Sequence, residues 1–564
     1  MKLKKILALL LVSGFLLSTF VGCSKKIEGN TSVVNSFGET ISDGISDGTS
    51  GISASSDEAT FDTDSSVTGN VSGNSGTSNN SGASAGNNSA GESTEKMPYY
   101  DVTAYGAKKD GSADASAAIQ KAIDAAFKNN GGVVYLPAGR YLMKAGVDVH
   151  MGVSIRGETP STKKKWRTVS NLSAASYTYE SAGSSWLDAA NFAGTWIIVD
   201  HGAGNVDAHA TFQMQGNASI MGLGFVHKNT APITNAITKY PPAIGIVNTD
   251  KLPFTREGMT VENIMLLNAY IGIAFHAGNG KVLDHEIGTS WESALKSLGR
   301  MRVHDITGGC TYRGIILKGL LDTVDIDNVK FGYTNMEKTY ATQRAQQCAD
   351  FEWYRADGSN VSNVFSFGAK YGILTTPAYS HGSSSIRLSK TELIGQYPMY
   401  ITATGQYEIT DCTFTTKNFN NLVTEKDFRA LTIIQDETSM HQPAYMVSGV
   451  KLVNGVKSAS LNDYNLYLVT KRASAPAMVS FYNLTFEGWS PDNTNAVVYY
   501  EATGSSYSGY ASFYNCTATG GNTGAGRLIQ AVNLPKYGAV FSKCNVPQGL
   551  IDRSNAGDLV CIQG

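Results

Sequence analysis

The chain has 564 residues and nearly balanced charge, with 45 Lys or Arg against 47 Asp or Glu. This balance argues against a nucleic-acid partner, because binding to phosphates needs a clear basic excess. Glycine (59) and tyrosine (28) are abundant and proline (14) is scarce, which favours short strands and tight turns over long helices.

The N-terminal segment, residues 1–22, is typical of a bacterial export signal. Lysines at its start precede an apolar run, residues 6–20, that is shorter than the roughly 20 residues needed to span a membrane. The sequence FVGCS at residues 20–24 resembles the lipobox of bacterial lipoproteins. The resemblance implies lipidation of Cys23 and a lipid anchor at the extracellular face of the cell membrane. The alternative is an ordinary secretory signal with an incidental cysteine.

Residues 23–97 are a low-complexity segment of Ser, Gly, Asn, Thr and Asp, as in NSGTSNNSGASAGNNS. A segment of this composition has almost no apolar side chains to bury, so it predicts a disordered spacer. We expect the spacer to connect the lipid anchor to one large domain, residues 98–564.

The domain opens with a stretch whose elements follow a clear order. Asp114 and Ser116 are candidate N-caps of a helix, and apolar residues then recur on one helical face. Asn129-Asn130-Gly131-Gly132 ends the helix, since Asn and Gly tolerate the left-handed backbone of a C-cap. A short apolar strand, the turn Pro137-Ala138-Gly139 and a second strand follow. Such a helix can cover the open end of a stack of strands.

One set of residues in this stretch stands in a characteristic order: Tyr105-Gly106-Ala107, Asp110-Gly111, Asp114, Ala118-Ile119-Gln120, Ala122-Ile123, Gly131-Gly132, Leu136-Pro137-Ala138-Gly139 and Tyr141. In this order they resemble the N-terminal signature of the pectate-lyase-like superfamily. The superfamily includes polygalacturonase-related proteins, polysaccharide lyases, epimerases and phage tailspikes. The resemblance implies an all-β fold, a right-handed parallel β-helix with a cap helix near residues 115–129, and a polysaccharide partner.

From about residue 218, a four-residue pattern recurs: a branched or aromatic residue, any residue, Asn or Asp, and an apolar residue. Its irregular spacing is typical of a solenoid with loops of unequal length. The Asn or Asp position predicts an internal ladder of turn residues whose side chains hydrogen-bond from coil to coil. A glycine-led strand follows several copies, as at Gly272 and Gly314. The clear copies begin at Val261, Val303, Ile326, Val361, Ile409, Phe481 and Phe513.

Six cysteines follow Cys23, and none has the close spacing of a metal site. Cys412, Cys516 and Cys544 fall at equivalent positions of the repeat, which favours small buried thiols over disulfides. No cofactor is predicted, although a calcium site assembled from scattered Asp residues stays open as an alternative.

Two long insertions, residues 279–299 and 334–356, interrupt the repeat. Long loops on a solenoid are often functional. Trp291 in the first insertion and Trp353 in the second are candidates for stacking on sugar rings. The alternative is that both loops pack against the wall of the β-helix.

Aligned coils place outward side chains in columns, because side chains alternate along a strand. On the strand before the ladder, one column contains Glu262, His304 and Asp327, and its neighbour contains Arg302 and Asp325. The three carboxylates are candidate catalytic groups, and Arg302 and His304 are candidates for substrate binding. Glu262 and Asp327 are expected about 9.5 Å apart, two strand spacings, within the about 6.5–9.5 Å of inverting glycosidases. The alternative is a surface strip of mixed charge.

The glycine-led strands carry a second candidate set, on the face where the β-helix enzymes that this chain resembles usually work. His276 or Lys318 could abstract a proton as a catalytic base, and Arg313 could offset the charge of a uronate. The alternative is a satisfied surface histidine and a solvated lysine.

Two specific mechanisms from the resembling families are not supported. The chain contains Asn248-Thr249-Asp250 but no Asp-Asp pair, so the polygalacturonase pattern is incomplete. Asp284-His285-Glu286 lacks the proline of the epimerase motif Asp-Pro-His-Glu.

Together these patterns favour a lipid-anchored cell-surface enzyme that cleaves a polysaccharide, as a glycoside hydrolase or a polysaccharide lyase. One alternative is a non-catalytic glycan-binding or adhesive lipoprotein, which a groove with aromatic residues and no convergent acid–base pair would favour. Another is a tailspike-like trimer, which would show an apolar stripe along one face. The chain is accordingly expected to be a monomer or a homotrimer.

Overall fold

The computed structural model describes residues 99–162, 192–228, 237–246, 257–276, 281–283, 299–320, 322–332, 338–377, 384–403, 405–435, 443–456, 462–470, 477–488, 496–502, 510–520, 526–554 and 557–563. The predicted export signal with Cys23, the predicted spacer and Trp291 lie outside these ranges, as do residues 248–250 and 284–286. Within them, no helix combines the length and the apolar character needed to cross a membrane.

The described strands form a continuous parallel sheet of 33 strands that winds into a right-handed β-helix, which confirms the predicted fold class. Each strand pairs with the strands one coil before and one coil after it, so three sheets run side by side along the stack. We call them sheets 1, 2 and 3. A separate antiparallel pair joins Ser161–Thr162 to Phe192–Ala193.

Sheet 1 contains the glycine-led strands. The C-terminal halves of two long strands, Ser359–Thr375 and Glu392–Ile401, also belong to it. Its other strands are Val147–Val149, Phe212–Met214, Pro242–Ile246, Ile271–His276, Arg313–Leu320, Ala349–Ala356, Asp427–Ile434, Asn462–Thr470, Ala496–Ala502 and Arg527–Val532.

Sheet 2 precedes the turn that carries the predicted ladder. Five of its strands continue through that turn into sheet 3: Ser219–His227, Thr260–Leu266, Met301–Gly308, Val324–Phe331 and Ser359–Thr375. Its other strands are Tyr99–Asp101, Gly132–Leu136, Val153–Gly157, Ser384–Ser389, Gly405–Thr410, Ala444–Ser448, Met478–Tyr482, Tyr510–Tyr514, Ala539–Ser542 and Val560–Gln563.

Sheet 3 follows the same turn and completes each coil. It includes the N-terminal half of Glu392–Ile401. Its other strands are Asp110–Asp114, Gly139–Met143, Thr195–Val199, Thr413–Thr416, Lys451–Asn454, Thr485–Glu487 and Thr517–Thr519.

The cap helix spans Ser116–Lys128, as predicted. The Asp114 carboxylate accepts hydrogen bonds from the Ser116 backbone N–H (3.0 Å) and hydroxyl (2.6 Å), which satisfies the first free donor of the helix. Its apolar face is buried over the end of the stack. The other helices among the described residues are Lys338–Gln347 and Gln548–Asp552, with 3-10 turns at Val102–Tyr105, Phe419–Asn421 and Gly557–Leu559.

From Gly222 to Lys543, the described turns between sheets 2 and 3 each have one residue in the left-handed conformation, which Asn and Asp adopt more readily than other residues except glycine. Asn263, Asn328 and Asn515 adopt φ values of 53°, 51° and 52°. The side chains bond from coil to coil, as predicted: Asn515 Nδ2 donates to Asn483 Oδ1 at 2.7 Å. The ladder is nevertheless exposed rather than internal, because the residue after it points into the core.

The described cysteines confirm the prediction of thiols rather than bridges, although Cys544 is half-buried and not buried as predicted. All six described cysteines are free, and four of them are buried. Cys412 and Cys516 occupy the apolar position directly after the ladder residue, where their small side chains fit beneath the turn.

The interpretation of residues 334–356 as a loop is wrong over its described part. Residues 338–347 form a helix, and Trp353 lies in the strand Ala349–Ala356 of sheet 1. The Trp353 ring is fully buried in the core, at 5.8 Å from the Phe351 ring, so it offers no surface to a sugar. The helix is fixed to the wall by an ion pair between Arg344 and Asp350, both fully buried, with 2.5 Å between Nη2 and Oδ2.

Candidate functional site

Sheet 1 carries a group of tyrosines on the outer side of its later coils. Register pairs Leu374 with Tyr400, then Tyr400 with Thr432, Thr432 with Tyr467 and Tyr467 with Tyr499. Three further tyrosines flank this column. We call the whole set the tyrosine row: Tyr371, Tyr397, Tyr400, Tyr464, Tyr467 and Tyr499.

The rings of the tyrosine row contact one another from coil to coil. Tyr371 stacks on Tyr397 with 5.2 Å between ring centroids, and Tyr467 stacks on Tyr499 at 4.5 Å with the planes 4° apart. Tyr400 meets Tyr397 edge to face at 5.2 Å. The row crosses five coils, about 19 Å between the outer strands at the usual strand spacing. It therefore forms a preorganised, partly exposed aromatic surface.

An arginine divides the tyrosine row. The Arg429 guanidinium lies 3.5 Å above the Tyr467 ring centroid, within cation–π distance. The Asp427 carboxylate holds it by two contacts, 3.0 Å from Nε and 2.7 Å from Nη2. Tyr397 donates its hydroxyl to Asp427 Oδ2 at 3.1 Å. The Arg429 and Asp427 side chains are 16% and 28% exposed, so solvent reaches both of them, whereas Tyr397 is buried beneath them at 7% exposed.

The phenols of the row are weak acids in this setting. Burial raises the pKa of Tyr371 to about 12, with a further contribution from Tyr400. Burial, then the Asp427 charge, raise the pKa of Tyr397 well above its ordinary value. Burial alone lowers the pKa of Arg429, but Asp427 outweighs it and the pKa is raised. At neutral pH these tyrosines are thus proton donors, and the arginine is charged.

The earlier coils of sheet 1 hold the predicted base candidates. His276 pairs with Lys318 in register, so the two are neighbours as the coil alignment predicted. Both side chains are fully buried, and the Lys318 ammonium lies 5.5 Å from the centre of the Tyr354 ring. Neither therefore presents a surface to a polysaccharide, and their catalytic role stays a prediction.

Arg313 is likewise engaged within the protein. Its guanidinium forms an ion pair with Glu352, and the Tyr354 hydroxyl donates to the other oxygen of that carboxylate at 2.9 Å. Arg313 is 11% exposed and Glu352 1% exposed. Burial, reinforced by the Glu352 charge, raises the pKa of Tyr354. The arrangement stabilises a buried carboxylate and leaves little of Arg313 for a uronate.

On sheet 2 the predicted charged columns form as expected. Register pairs Glu262 with His304 and His304 with Asp327, and it pairs Arg302 with Asp325. Glu262 and Asp327 therefore lie two strands apart. The catalytic roles of these residues stay predictions.

Hydrogen bonds fix the charge of one of these carboxylates. Asp327 accepts from the Ser362 hydroxyl at 2.5 Å and from Asn363 Nδ2 at 2.7 Å. These bonds, led by Ser362, lower the pKa of Asp327 despite partial burial. Asp327 is therefore a carboxylate at neutral pH, which suits a base and opposes the protonated acid that a glycosidase also needs.

The neighbouring column borders a cavity of about 350 Å³ between Arg300, Arg302 and Asp325. Asn360 Nδ2 donates to Asp325 Oδ1 at 3.0 Å. Arg300 is paired with Asp322 at 3.0 Å, so the cavity wall is largely self-neutralised. Half-buried His304 has an Nε2 atom without a hydrogen-bond partner among the described residues.

No group of three or more His, Cys, Asp or Glu side chains could hold a metal ion within the part of the chain that the structure describes. The expectation of no cofactor, with calcium as its alternative, stays a prediction. Trp291 and Cys23 lie outside the described residues, so their predicted roles stay predictions as well.

Sequence reasoning missed the tyrosine row, although one signal was available. Tyr397-Pro398-Met399-Tyr400 and Tyr464-Asn465-Leu466-Tyr467 share a spacing that recurs on neighbouring strands of sheet 1. In both, the two rings contact each other, with centroids 5.2 Å apart for Tyr397 and Tyr400 and 5.7 Å apart for Tyr464 and Tyr467.

Comparison with solved structures finds other parallel β-helices. The A-module of mannuronan C-5 epimerase AlgE4 from Azotobacter vinelandii aligns with a TM-score of 0.44 and 13% identity, over 83% of this chain and 98% of the module. An exopolygalacturonase from Thermotoga maritima aligns with a TM-score of 0.38 and 9% identity, over 75% of this chain and 93% of that one.

Sequence comparison finds short segments of two Azotobacter vinelandii enzymes. Alginate lyase 7 is 50% identical over 56 residues, which are 10% of this chain and 6% of the relative. Mannuronan C5-epimerase AlgE5 is 55% identical over 47 residues, 8% of this chain and 5% of the relative. The chain therefore matches only a small part of each relative's length.

A family model covers a longer part of the chain. Residues 99–287, from the first strand of the cap into the predicted first insertion, match the model described as Rhamnogalacturonase A/epimerase, pectate lyase-like. This match and the wound parallel sheet support the resemblance stated from the cap signature. Over residues 99–287 the chain is thus similar to the Rhamnogalacturonase A/epimerase, pectate lyase-like family, and its fold is a parallel β-helix.

Proposed function

We propose that this protein is an enzyme that acts on a polysaccharide bound along the tyrosine row, by β-elimination at a uronate residue. The observation that carries the proposal is the trio at the middle of the row. It joins a charged arginine and a carboxylate, both partly exposed, to a protonated and mostly buried phenol that donates a hydrogen bond to the carboxylate. Rows of aromatic rings suit the flat faces of sugars, and the trio supplies the groups that an elimination requires.

Each member of the trio has a distinct role in the proposed reaction. Arg429 pairs with the uronate carboxylate and makes the adjacent C–H more acidic. Asp427 accepts that proton, the bond from the sugar to the leaving oxygen breaks, and a carbon–carbon double bond forms. Tyr397 donates its proton to the leaving oxygen and recovers one from Asp427 through their hydrogen bond.

The relatives support a polysaccharide as substrate class. The two segments of high identity belong to an alginate lyase and a mannuronan epimerase, and the family model names a rhamnogalacturonase and an epimerase. We propose in addition that the enzyme works outside the cell, held to the membrane by lipid on Cys23. Labelled palmitate incorporated by the wild-type chain and not by Cys23→Ser tests this second point.

A non-catalytic glycan-binding protein is the second candidate. The observation in its favour is that the carboxylates near the row are already neutralised: Asp427 by Arg429, and Glu352 by Arg313. A binding surface needs the rings and hydrogen-bond donors but no free acid–base pair.

The experiment follows new reducing ends and the absorbance of unsaturated uronates together, on plant, algal and bacterial polysaccharides. Absorbance that rises with reducing ends supports elimination. Asp427→Asn and Tyr397→Phe should each lower kcat by about a hundredfold, in the range that one acid–base group contributes. Asp200→Asn is the control: it removes a carboxylate from an ion pair with Lys228, and both residues come directly after strands of sheet 3.

Two outcomes would contradict the proposal. Reducing ends without absorbance would indicate a hydrolase, and the carboxylates of sheet 2 would then be substituted first. Silence on every polysaccharide, together with retention on one of them in affinity gels, would favour the glycan-binding protein.

A further inference from the structure

Exposed large apolar side chains cluster on the last coils of sheet 2, far along the stack from the cap. Five of them form what we call the methionine–tyrosine patch: Met446, Met478, Tyr482, Tyr510 and Tyr514, which are 42%, 53%, 39%, 53% and 41% exposed. A contiguous apolar surface of this kind on an otherwise polar sheet usually marks a binding site.

Strand register makes the patch continuous. Met478 pairs with Tyr510, and Tyr482 pairs with Tyr514, so two columns of exposed side chains stand side by side. The rings of Tyr482 and Tyr514 lie 6.4 Å apart. Between the columns, the Ser480 and Ser512 hydroxyls are 3.3 Å apart. Apolar surfaces thus flank a line of hydrogen-bonding groups.

The patch borders an open depression of about 320 Å³. Met446, Met478 and Tyr482 form its apolar side. Ser385, Arg387, Gln406 and Glu408 form its polar side, and Ser480 lies between Met478 and Tyr482. A tyrosine ring and two methionine side chains next to an amide and hydroxyl groups suit a sugar, since its ring faces are apolar and its edge carries hydroxyl groups.

The few charged side chains around the depression indicate whether its ligand is charged or neutral. Among the described residues that line the depression, only Arg387 and Glu408 are charged, and they face each other at 3.5 Å. The Lys543 ammonium, next to the patch, lies 5.3 Å from the Tyr514 ring centre. A polyanion would find no concentration of positive charge here.

The area of the patch argues against a second copy of the chain. A fully buried aromatic side chain covers about 150–250 Å², so five side chains exposed by about half offer about 500 Å². A stable protein–protein interface buries about 800 Å² on each partner. The patch fits a smaller ligand better.

We infer that the methionine–tyrosine patch is a second carbohydrate site, which binds a neutral glycan. It lies on a different sheet from the tyrosine row, and it does not depend on the proposed elimination. The site would hold the protein to a neutral polysaccharide while sheet 1 faces another polymer.

The test is affinity gel electrophoresis of the full chain in hydroxyethyl cellulose, galactomannan and polygalacturonate. We expect retardation by at least one of the two neutral polymers. The double variant Tyr482→Ala/Tyr514→Ala should weaken that binding at least tenfold, and Met478→Ser should weaken it less. Tyr99→Ala, a 54% exposed tyrosine at the opposite end of the stack, should have no effect. Tyr467→Ala should also leave neutral binding unchanged, which separates this site from the tyrosine row.

Several results would overturn the inference. They are no retardation by either neutral polymer, retardation that the double variant does not change, or retardation that Tyr467→Ala abolishes. Sedimentation velocity gives one more: a dimer or trimer of the wild-type chain that the double variant converts to monomer would show that the patch covers another copy. Unchanged far-UV circular dichroism of each variant would establish that it is folded.

Discussion

The two halves of sheet 1 use the same outward column in opposite ways. In the earlier coils the column runs Gly245, Ala274, Ile316 and Glu352, all covered by other parts of the protein. In the later coils it presents Tyr400, Tyr467 and Tyr499 at the surface. An arginine–carboxylate pair occurs in each half, but one is buried and the other half-exposed. The Arg313–Glu352 pair of the first half therefore stabilises the fold, whereas the Arg429–Asp427 pair of the second half can also contact a ligand.

The largest expected effect comes from breaking the buried pair. Glu352→Ala leaves the Arg313 guanidinium without its partner and removes the acceptor of Tyr354, so the free energy of unfolding should fall by about 3–5 kcal/mol. Asp427→Ala, the matched change in the partly exposed pair, should cost less, because water can replace part of the lost contact there. Urea denaturation measures both. Equal losses would remove the distinction between the two halves.

The second effect concerns binding along the tyrosine row. Tyr467→Ala removes the ring that stacks on Tyr499 and supports Arg429, so KM for the polysaccharide should rise about tenfold, equivalent to about 1.4 kcal/mol. Gln530→Ala, one coil further along the same column, is the control and should change KM little. Steady-state kinetics of both variants, on the polysaccharide that the wild-type protein degrades, measure these changes in KM. Loss of kcat with KM unchanged would contradict a binding role.

The third effect should be the same in both halves, because the turn between sheets 2 and 3 is the same. Asn328→Ala in the first half and Asn515→Ala in the second each force alanine into the left-handed conformation, which costs about 1–2 kcal/mol. Glycine at either position should cost less, since it adopts that conformation freely. Denaturation of the four variants tests this. A much larger effect at one position would mean that the two halves differ in the stability of this turn as well as in their exposed side chains.

The smallest effect is a shift in one titration. The phenol of Tyr371 has its pKa raised from 10.0 to about 12, so the folded protein keeps a proton that the unfolded chain loses above pH 10. The stability contributed by this group is complete below pH 10 and is lost as the pH rises from 10 to 12. Difference ultraviolet titration of wild type against Tyr371→Phe should show one tyrosine that ionises near pH 12. If the ionisation that is lost in Tyr371→Phe lies near pH 10, the result would contradict the burial of this phenol.

The fold could be predicted because its determinants are local and repeated. Asn263, Asn328 and their equivalents mark the same left-handed turn, and strand alternation then places Glu262, His304 and Asp327 in one column. Burial could not be predicted in this way. The sequence predicts correctly that His276 and Lys318 are neighbours in register. It does not predict that both are buried, because burial depends on packing between segments that are distant in the chain.

The tyrosine row escaped prediction for a related reason. Glycine led the earlier strands of sheet 1, whereas proline, alanine and asparagine stand at the matching position as Pro398, Ala430 and Asn465, so the pattern could not be followed past residue 375. The prediction that Trp353 lies in a loop is wrong because the helix 338–347 lengthens the interval between ladder residues, and the sequence pattern does not distinguish such a helix from a loop.

The coil-by-coil pairing of the β-helix has a consequence for how its surfaces evolve. Each strand contacts only the coils beside it, so the free energy of the stack is approximately a sum of nearest-neighbour terms. A substitution that reshapes Tyr510 on sheet 2 has no direct route to Tyr371 several coils away. The solenoid therefore behaves like a modular scaffold, on which separate recognition surfaces can be gained, lost or exchanged one coil at a time.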